Sequence, residues 1–365
     1  MKKLKISLIS AVTAAILLTS CANSPAGSDN TSSSSVSETS ITTVATTTTT
    51  TTEATTTTTE FTPVPVKHTF NPHVLSDIYL MAYGEDFKEN FFRYCDAVLE
   101  GADNVALDKK DYYYQCRDAV RYCLPVADEY VYYMDTKEAS NGDGTYKLQY
   151  SVPKDEYLSK VSEFKTRIED LINRACFEGD TPLETAIALY ASESERLDYD
   201  YSFDAIDENG VSRSCNPYHA LMTDNGICQE IAGCYSYLLL QAGIDAATCG
   251  ALNDDASESH EWSVVKLNGK YYHCDVTFQC SSDKQSLRYF GMSDQRRHLE
   301  GNWSIDGFNF AGVNLIWHKD LPLEDEAFDP LSTCMFFEID REKDMLYCYG
   351  IGGESKDPYF EMSLK

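Results

Sequence analysis

The stretch DNGICQEIAGCYSYLLLQAG, Asp224 to Gly243, holds two cysteines inside an apolar helical pattern. Ile231, Cys234, Tyr235, Leu238 and Leu239 recur at three- and four-residue spacing, so Asp224 to Gln241 is predicted to be a helix, with Gly243 ending it. Cys228 stands near its start. Three readings are open for that residue: a buried small hydrophobe, half of a disulfide, or a nucleophile. Unpaired amides and the macrodipole at a helix N-terminus stabilise an anion, which favours a thiolate there. Gly226 is expected to let the chain turn sharply into the helix.

Downstream, Ala246 to Leu252 reads as a short strand. His260 to Leu267 and Lys270 to Phe278 read as two strands joined by Asn268-Gly269, the strongest short signal for a hairpin. A two-residue turn puts Trp262 opposite Asp275 and His260 opposite Thr277. Side chains alternate with period two, so these four share one face. His260 and Asp275 become diagonal neighbours, about 7–8 Å apart at the backbone. An imidazole beside a carboxylate has its tautomer fixed and its protonated form supported. Cysteine, histidine and aspartate in this arrangement would be an activated nucleophile, a base and an orienting group.

GICQEIAGCYSYLLLQAGI followed by SHEWSVVKLNGKYYHCDVTF resembles the bacterial transglutaminase-like superfamily. Its members carry a G-V-C-x-G-[FY]-A helix start, an H-x-W strand and a W-[YH]-x-x-D-x-T strand. These map onto Cys228, His260 and Asp275. RLDYDY, Arg196 to Tyr201, resembles the segment before the nucleophile, and RYFGMSDQRRH, Arg288 to His298, the segment after the core. The resemblance runs from about Thr181 to Trp303. It implies an α+β, papain-like fold with the nucleophile helix packed on an antiparallel sheet, and acyl transfer through a thioester on Cys228. Hydrolysis and cross-linking of amides share that chemistry. The implied substrate is a protein, a peptide or a peptidoglycan stem, and no metal or organic cofactor is implied. The rival reading is a non-catalytic module that holds a peptide or glycan in the same cleft.

The chain departs from the pattern at Glu230 and Ile231, where many members have glycine and an aromatic, and it adds Cys274 and Cys280. Trp262 reads as a wall of the cleft or as core packing, and Tyr199, with Tyr201, as core or as a lining of the oxyanion site. The backbone N–H of Cys228 is an alternative donor. His273 reads as a supporting strand residue rather than a second base, and His219 lies near the site in sequence. The 25 tyrosines suit a sugar or peptide groove and equally an aromatic core.

The rest of the chain sets the context. Lys2, Lys3 and Lys5 precede the apolar run Ile6 to Leu18, which is too short to span a bilayer. Leu18-Thr19-Ser20-Cys21 resembles a bacterial lipobox, which implies export, cleavage before Cys21 and a lipid anchor on its thiol. The protein is then expected outside the cytoplasm, tethered to the membrane through Cys21. The expected divisions are a signal peptide over 1–20, a disordered threonine- and serine-rich stalk over 21–62, a helix and hairpin region over 63–180, the transglutaminase-like core over 181–330, and a C-terminal hairpin over 331–365. Within the 63–180 region, helices are predicted over Pro72–Gly101, Lys110–Cys123 and Lys154–Phe177. A hairpin is predicted for Tyr130–Thr136 with Tyr146–Val152. Thr181 and Pro182 open a further helix to Leu197. A net charge of -28 opposes nucleic-acid binding. Of 13 cysteines none forms a CxxC pair, so zinc-ribbon and thioredoxin motifs are absent.

Overall fold

The Cys228–Gln241 helix lies on a five-stranded antiparallel sheet. Its strands run in the order Lys270–Cys274, Ser259–Leu267, Ala246–Leu252, Asn309–Phe310, Ile316–Trp317. The computed structural model describes residues 62–203, 214–282, 284–311, 315–350 and 358–365. The leader, Cys21 and almost all of the threonine-rich stretch lie outside them. The core is mixed α+β, as expected.

The helix is fixed to the sheet by polar bonds as well as apolar packing. Ser263 Oγ donates to the Ala232 carbonyl at 2.8 Å, and Ser236 Oγ donates to the Ala247 carbonyl at 3.0 Å. Followed back toward its N-terminus, the helix therefore moves along the Ser259–Leu267 strand toward its His260 end. Its start differs from the expectation. Asp224, at φ 63°, ends a preceding helix, Pro217–Thr223, and Asn225–Gly226 pairs in parallel with Asp198–Tyr199. The helix therefore begins at Cys228 itself. Gly226 has no left-handed backbone. Its small size is needed because a Cβ would meet Glu230 Oε2 at 3.0 Å and the Ala220 Cβ at 3.1 Å.

The Asn268-Gly269 turn holds the predicted register. Leu267 faces Lys270, Val264 faces His273 and Ser263 faces Cys274. Both turn residues are left-handed, at φ 50° and 80°, as a two-residue hairpin of this type demands. The second strand ends four residues sooner than predicted, at Cys274, so the pairs Trp262–Asp275 and His260–Thr277 do not form. Asp275 instead caps a short helix, Val276–Cys280, by accepting from the Phe278 N–H. An aspartate that bonds its own backbone in this way competes with the ladder.

The amino-terminal region shows two further differences. Pro72–Gly101 is two helices, Asp77–Tyr83 and Phe87–Leu99, parted at Gly84. The hairpin expected for Tyr130–Thr136 with Tyr146–Val152 is cut back to one antiparallel bridge, Val131 with Tyr150: Pro125 opens a helix to Tyr130, and Thr145–Lys147 pairs with Asn104–Ala106. The helices Lys154–Ala175 and Pro182–Arg196 match their predicted spans closely, the latter with Thr181 and Glu184 in a capping box. The C-terminal hairpin, Phe336–Asp340 with Met345–Tyr349, gains a third strand, Phe360–Ser363.

Candidate active site

Asp275 lies at the centre of the constellation. Its Oδ2 accepts from His260 Nε2 at 2.8 Å and from Arg297 Nη2 at 2.9 Å, while Oδ1 accepts the Phe278 N–H at 2.9 Å. The carboxylate is wholly buried. Burial alone would raise its pKa, but the His260 and Arg297 charges and these hydrogen bonds outweigh that and hold it below the usual carboxylate range. An ionised Asp275 makes His260 Nε2 the protonated nitrogen and leaves Nδ1 with the lone pair. The imidazole also stacks on Phe278, with ring centroids 4.7 Å apart, and packs beside Trp303.

Cys228 is the first residue of its helix and is 4% exposed. The backbone before it is held by Glu230, whose Oε2 accepts the Ile227 N–H at 3.0 Å and lies 3.3 Å from His219 Nδ1. His219 thus belongs to the helix start, and Glu230 serves as a capping acid where a glycine was the expected type. Tyr199 lies beside the same turn through its pairing with Gly226, and its ring packs on Tyr201 at 4.9 Å. None of the twelve cysteines from Cys95 to Cys348 is joined in a disulfide.

Trp262 does not line the cleft. It is wholly buried, and its indole N–H is donated to His273 Nδ1 at 2.8 Å, so it has no donor left for an oxyanion. His273 Nε2 in turn bonds Asp294 Oδ1 at 2.9 Å, and His318 Nε2 bonds the other oxygen of Asp294 at 2.9 Å. His273 is a supporting residue, and burial lowers its pKa despite Asp294. The network holds Trp262 as a platform for Arg297, whose guanidinium lies 4.2 Å from the indole ring. Among the described residues no cluster of three or more metal-ligating side chains occurs, and no helix is long and apolar enough to cross a membrane.

Residues 170–276 match the model of the transglutaminase-like superfamily. The chain carries a transglutaminase-like core. The matched segment ends one residue beyond Asp275, so it contains Cys228, His260 and Asp275 and excludes Arg297 and Trp303. Among solved structures, a "Putative Cysteine Protease from Cytophaga hutchinsonii" is 13% identical, with a TM-score of 0.21; the match covers 26% of this chain and 30% of that one. A structure described as a "TGase" is 11% identical, with a TM-score of 0.27, over 36% of this chain and 40% of that one. The chain therefore spans well under half of either. No curated protein matches it.

Arg297 is the residue that sequence reasoning missed. It lies in the RYFGMSDQRRH segment, but two adjacent arginines near a helix end look like solvated charges. The available signal was Ser293-Asp294 as a helix start. It makes Arg296 and Arg297 successive positions of one turn, of which one must face inward.

Proposed function

We propose that this protein is a cysteine acyl-transfer enzyme in which Cys228 is the nucleophile, His260 the acid–base and Asp275 the orienting carboxylate. The observation that carries the reading is the buried His260–Asp275 hydrogen bond of 2.8 Å, beside a helix that starts on Cys228. Asp275 fixes His260 with Nδ1 free to take the thiol proton. The thiolate attacks an amide carbonyl, and the C–N bond breaks as His260 returns the proton to the leaving amine. Water then releases the acid, or a second amine takes the acyl group. The Cys228 N–H and the neighbouring helix-start amides are the donors for the developing oxyanion. Substrates are protein, peptide or peptidoglycan-stem amides outside the cytoplasm, with the chain tethered through a lipid on Cys21.

The test is the pH profile of iodoacetamide alkylation at Cys228 in the full chain, read by mass spectrometry. Labelling is expected well below the free-cysteine value of about 8.5, and it should be lost from that range in His260→Ala. A profile that rises only near 8.5 in both proteins would leave the cleft as a binding site and reject the enzyme. For the anchor, Cys21→Ser is expected to release the protein from the membrane fraction or block its processing. A mutant that is processed and retained like the wild type rejects the lipid.

A further inference from the structure

Asp275 Oδ2 receives two cationic donors. His260 Nε2 approaches at 2.8 Å and Arg297 Nη2 at 2.9 Å, and both Asp275 and Arg297 are fully shielded from solvent. The Arg297 Nη1 donates to the Glu300 carbonyl at 3.2 Å, and its guanidinium lies 4.2 Å from the Trp262 ring, 5.0 Å from Phe278 and 5.4 Å from Trp303. The same Phe278 stacks on His260. Arginine and histidine thus share both a carboxylate oxygen and an aromatic wall. Taking a guanidinium and a carboxylate out of water is costly, and a well-packed apolar pair would often hold a core as well. Stability alone is therefore a weak reason for this arginine.

We propose that Arg297 is the positioning residue of the site, holding the Asp275 carboxylate in place and in charge so that His260 can give up and regain its proton. The inference rests on the assignment of Cys228, His260 and Asp275 above. A buried carboxylate whose sole cation is an imidazolium resists loss of that imidazolium's proton, because the carboxylate would then stand alone in a low dielectric. Burial lowers the Arg297 pKa and Asp275 opposes that, and a guanidinium starts far enough above neutrality to stay charged. With it present, Asp275 keeps a counter-charge in both protonation states of His260. The other ionisable groups facing this cluster are Glu261, which interacts with His260, together with Cys249, Tyr289 and Glu300 around Arg297, His273 beside it, and Cys274, Cys280 and Tyr190 around Asp275, the Tyr190 hydroxyl donating to the Asp275 carbonyl at 3.2 Å. None of these groups donates to Asp275 Oδ2, where the proton balance of the pair is set.

The experiment compares wild type, Arg297→Met and Arg297→Lys in the full chain, using circular dichroism for folding. Cys228 acylation by a peptide amide and Cys228 alkylation by iodoacetamide are followed against pH. In Arg297→Met the alkaline, histidine-dependent limb is expected to move up by at least about half a pH unit, and acylation near neutrality to fall at least about tenfold. Arg297→Lys keeps the charge but not the planar fork, so its limb should stay close to wild type while its rate falls at least about threefold. A folded Arg297→Met with the wild-type limb and rate overturns the proposal. If that variant does not fold, a folded Arg297→Lys with both wild-type limb and wild-type rate overturns it instead. Failure of the underlying assignment looks different: Cys228 of the wild type would then show no selective labelling at all.

Discussion

Asp275 divides its two oxygens between structure and chemistry. Oδ1 caps the Val276–Cys280 helix, and Oδ2 holds His260 and Arg297. Replacing it by asparagine therefore has two costs. An amide orients the imidazole poorly, so single-turnover acylation of Cys228 is expected to fall at least about tenfold, or roughly 1.4 kcal/mol. It also leaves Arg297 as a buried cation without an anion, which costs about 3–5 kcal/mol of stability. A urea midpoint unchanged in Asp275→Asn would contradict the second expectation, and wild-type acylation would contradict the first. His273 supplies a pH dependence. Its folded pKa is depressed by burial, so the unfolded chain binds the proton more readily. The stability it contributes is present above the unfolded value of about 6.5 and is lost as pH falls below it. Protonation would also place an N–H against the Trp262 N–H. The melting temperature should thus begin to drop on moving from pH 7 toward pH 5, and His273→Gln should flatten that part of the curve. Equal slopes in the two proteins would remove His273 from the account.

At the scale of elements, what was legible depended on whether a local signal was also a complete one. Asn268-Gly269 determined the hairpin register because both residues accept a left-handed backbone, and the alternation on either side agreed with it. The end of the second strand was not legible by alternation, since the ladder gives way to the side chain of Asp275 and to the bond from its N–H to the Tyr289 carbonyl. The pairing of His260 with Asp275 survived because a cap at the strand end still points the carboxylate at the histidine. The 130–152 hairpin kept only the bridge of Val131 with Tyr150, for the opposite reason: its turn residues were real, but Thr145–Lys147 found its partner strand some 40 residues upstream, at Asn104–Ala106. Arg297 was hidden because only burial distinguishes it from Arg296. Gly233 offers a test of how tightly the nucleophile helix is seated. A Cβ there would stand 2.2 Å from Pro217 Cγ and 2.8 Å from the Tyr122 ring. Gly233→Ala is expected to cost about 1–3 kcal/mol through overpacking and to slow Cys228 alkylation by shifting the helix. Wild-type stability and labelling in that variant would show that the contact yields freely.

Across the whole molecule, one buried apolar cluster runs from Phe70 to Leu364. Helical residues before 180 enter it alongside the sheet. Phe164 stacks against Tyr218 and packs at a tilt on Tyr237, and Tyr122 donates to the buried Glu261 at 2.7 Å, one residue from His260. Ser76 Oγ donates to Asp245 at 2.7 Å, and the Asn71 N–H donates to Gln241 at 2.9 Å, at the far end of the nucleophile helix. Boundaries drawn from composition and motif cannot show this sharing, because long-range burial leaves no local periodicity. The folded part should unfold as one unit, with tryptophan fluorescence and far-ultraviolet circular dichroism losing signal at the same urea concentration. Two separated transitions would show that the amino-terminal helices stand on their own.

The position of Arg297 also bears on the order in which a growing chain becomes reactive. Synthesis from the N-terminus delivers Cys228 first, then His260, then Asp275, and the guanidinium only 22 residues after that carboxylate. Until that last segment folds back, Asp275 lacks the Arg297 counter-charge. Latency of this kind requires no inhibitory propeptide. A chain released from cell-free translation before Ser293 is expected to carry the thiol yet label with iodoacetamide no faster than an unfolded cysteine, whereas the full chain labels selectively at Cys228. The chemistry would be switched on by the completion of the fold and silent in every shorter nascent form.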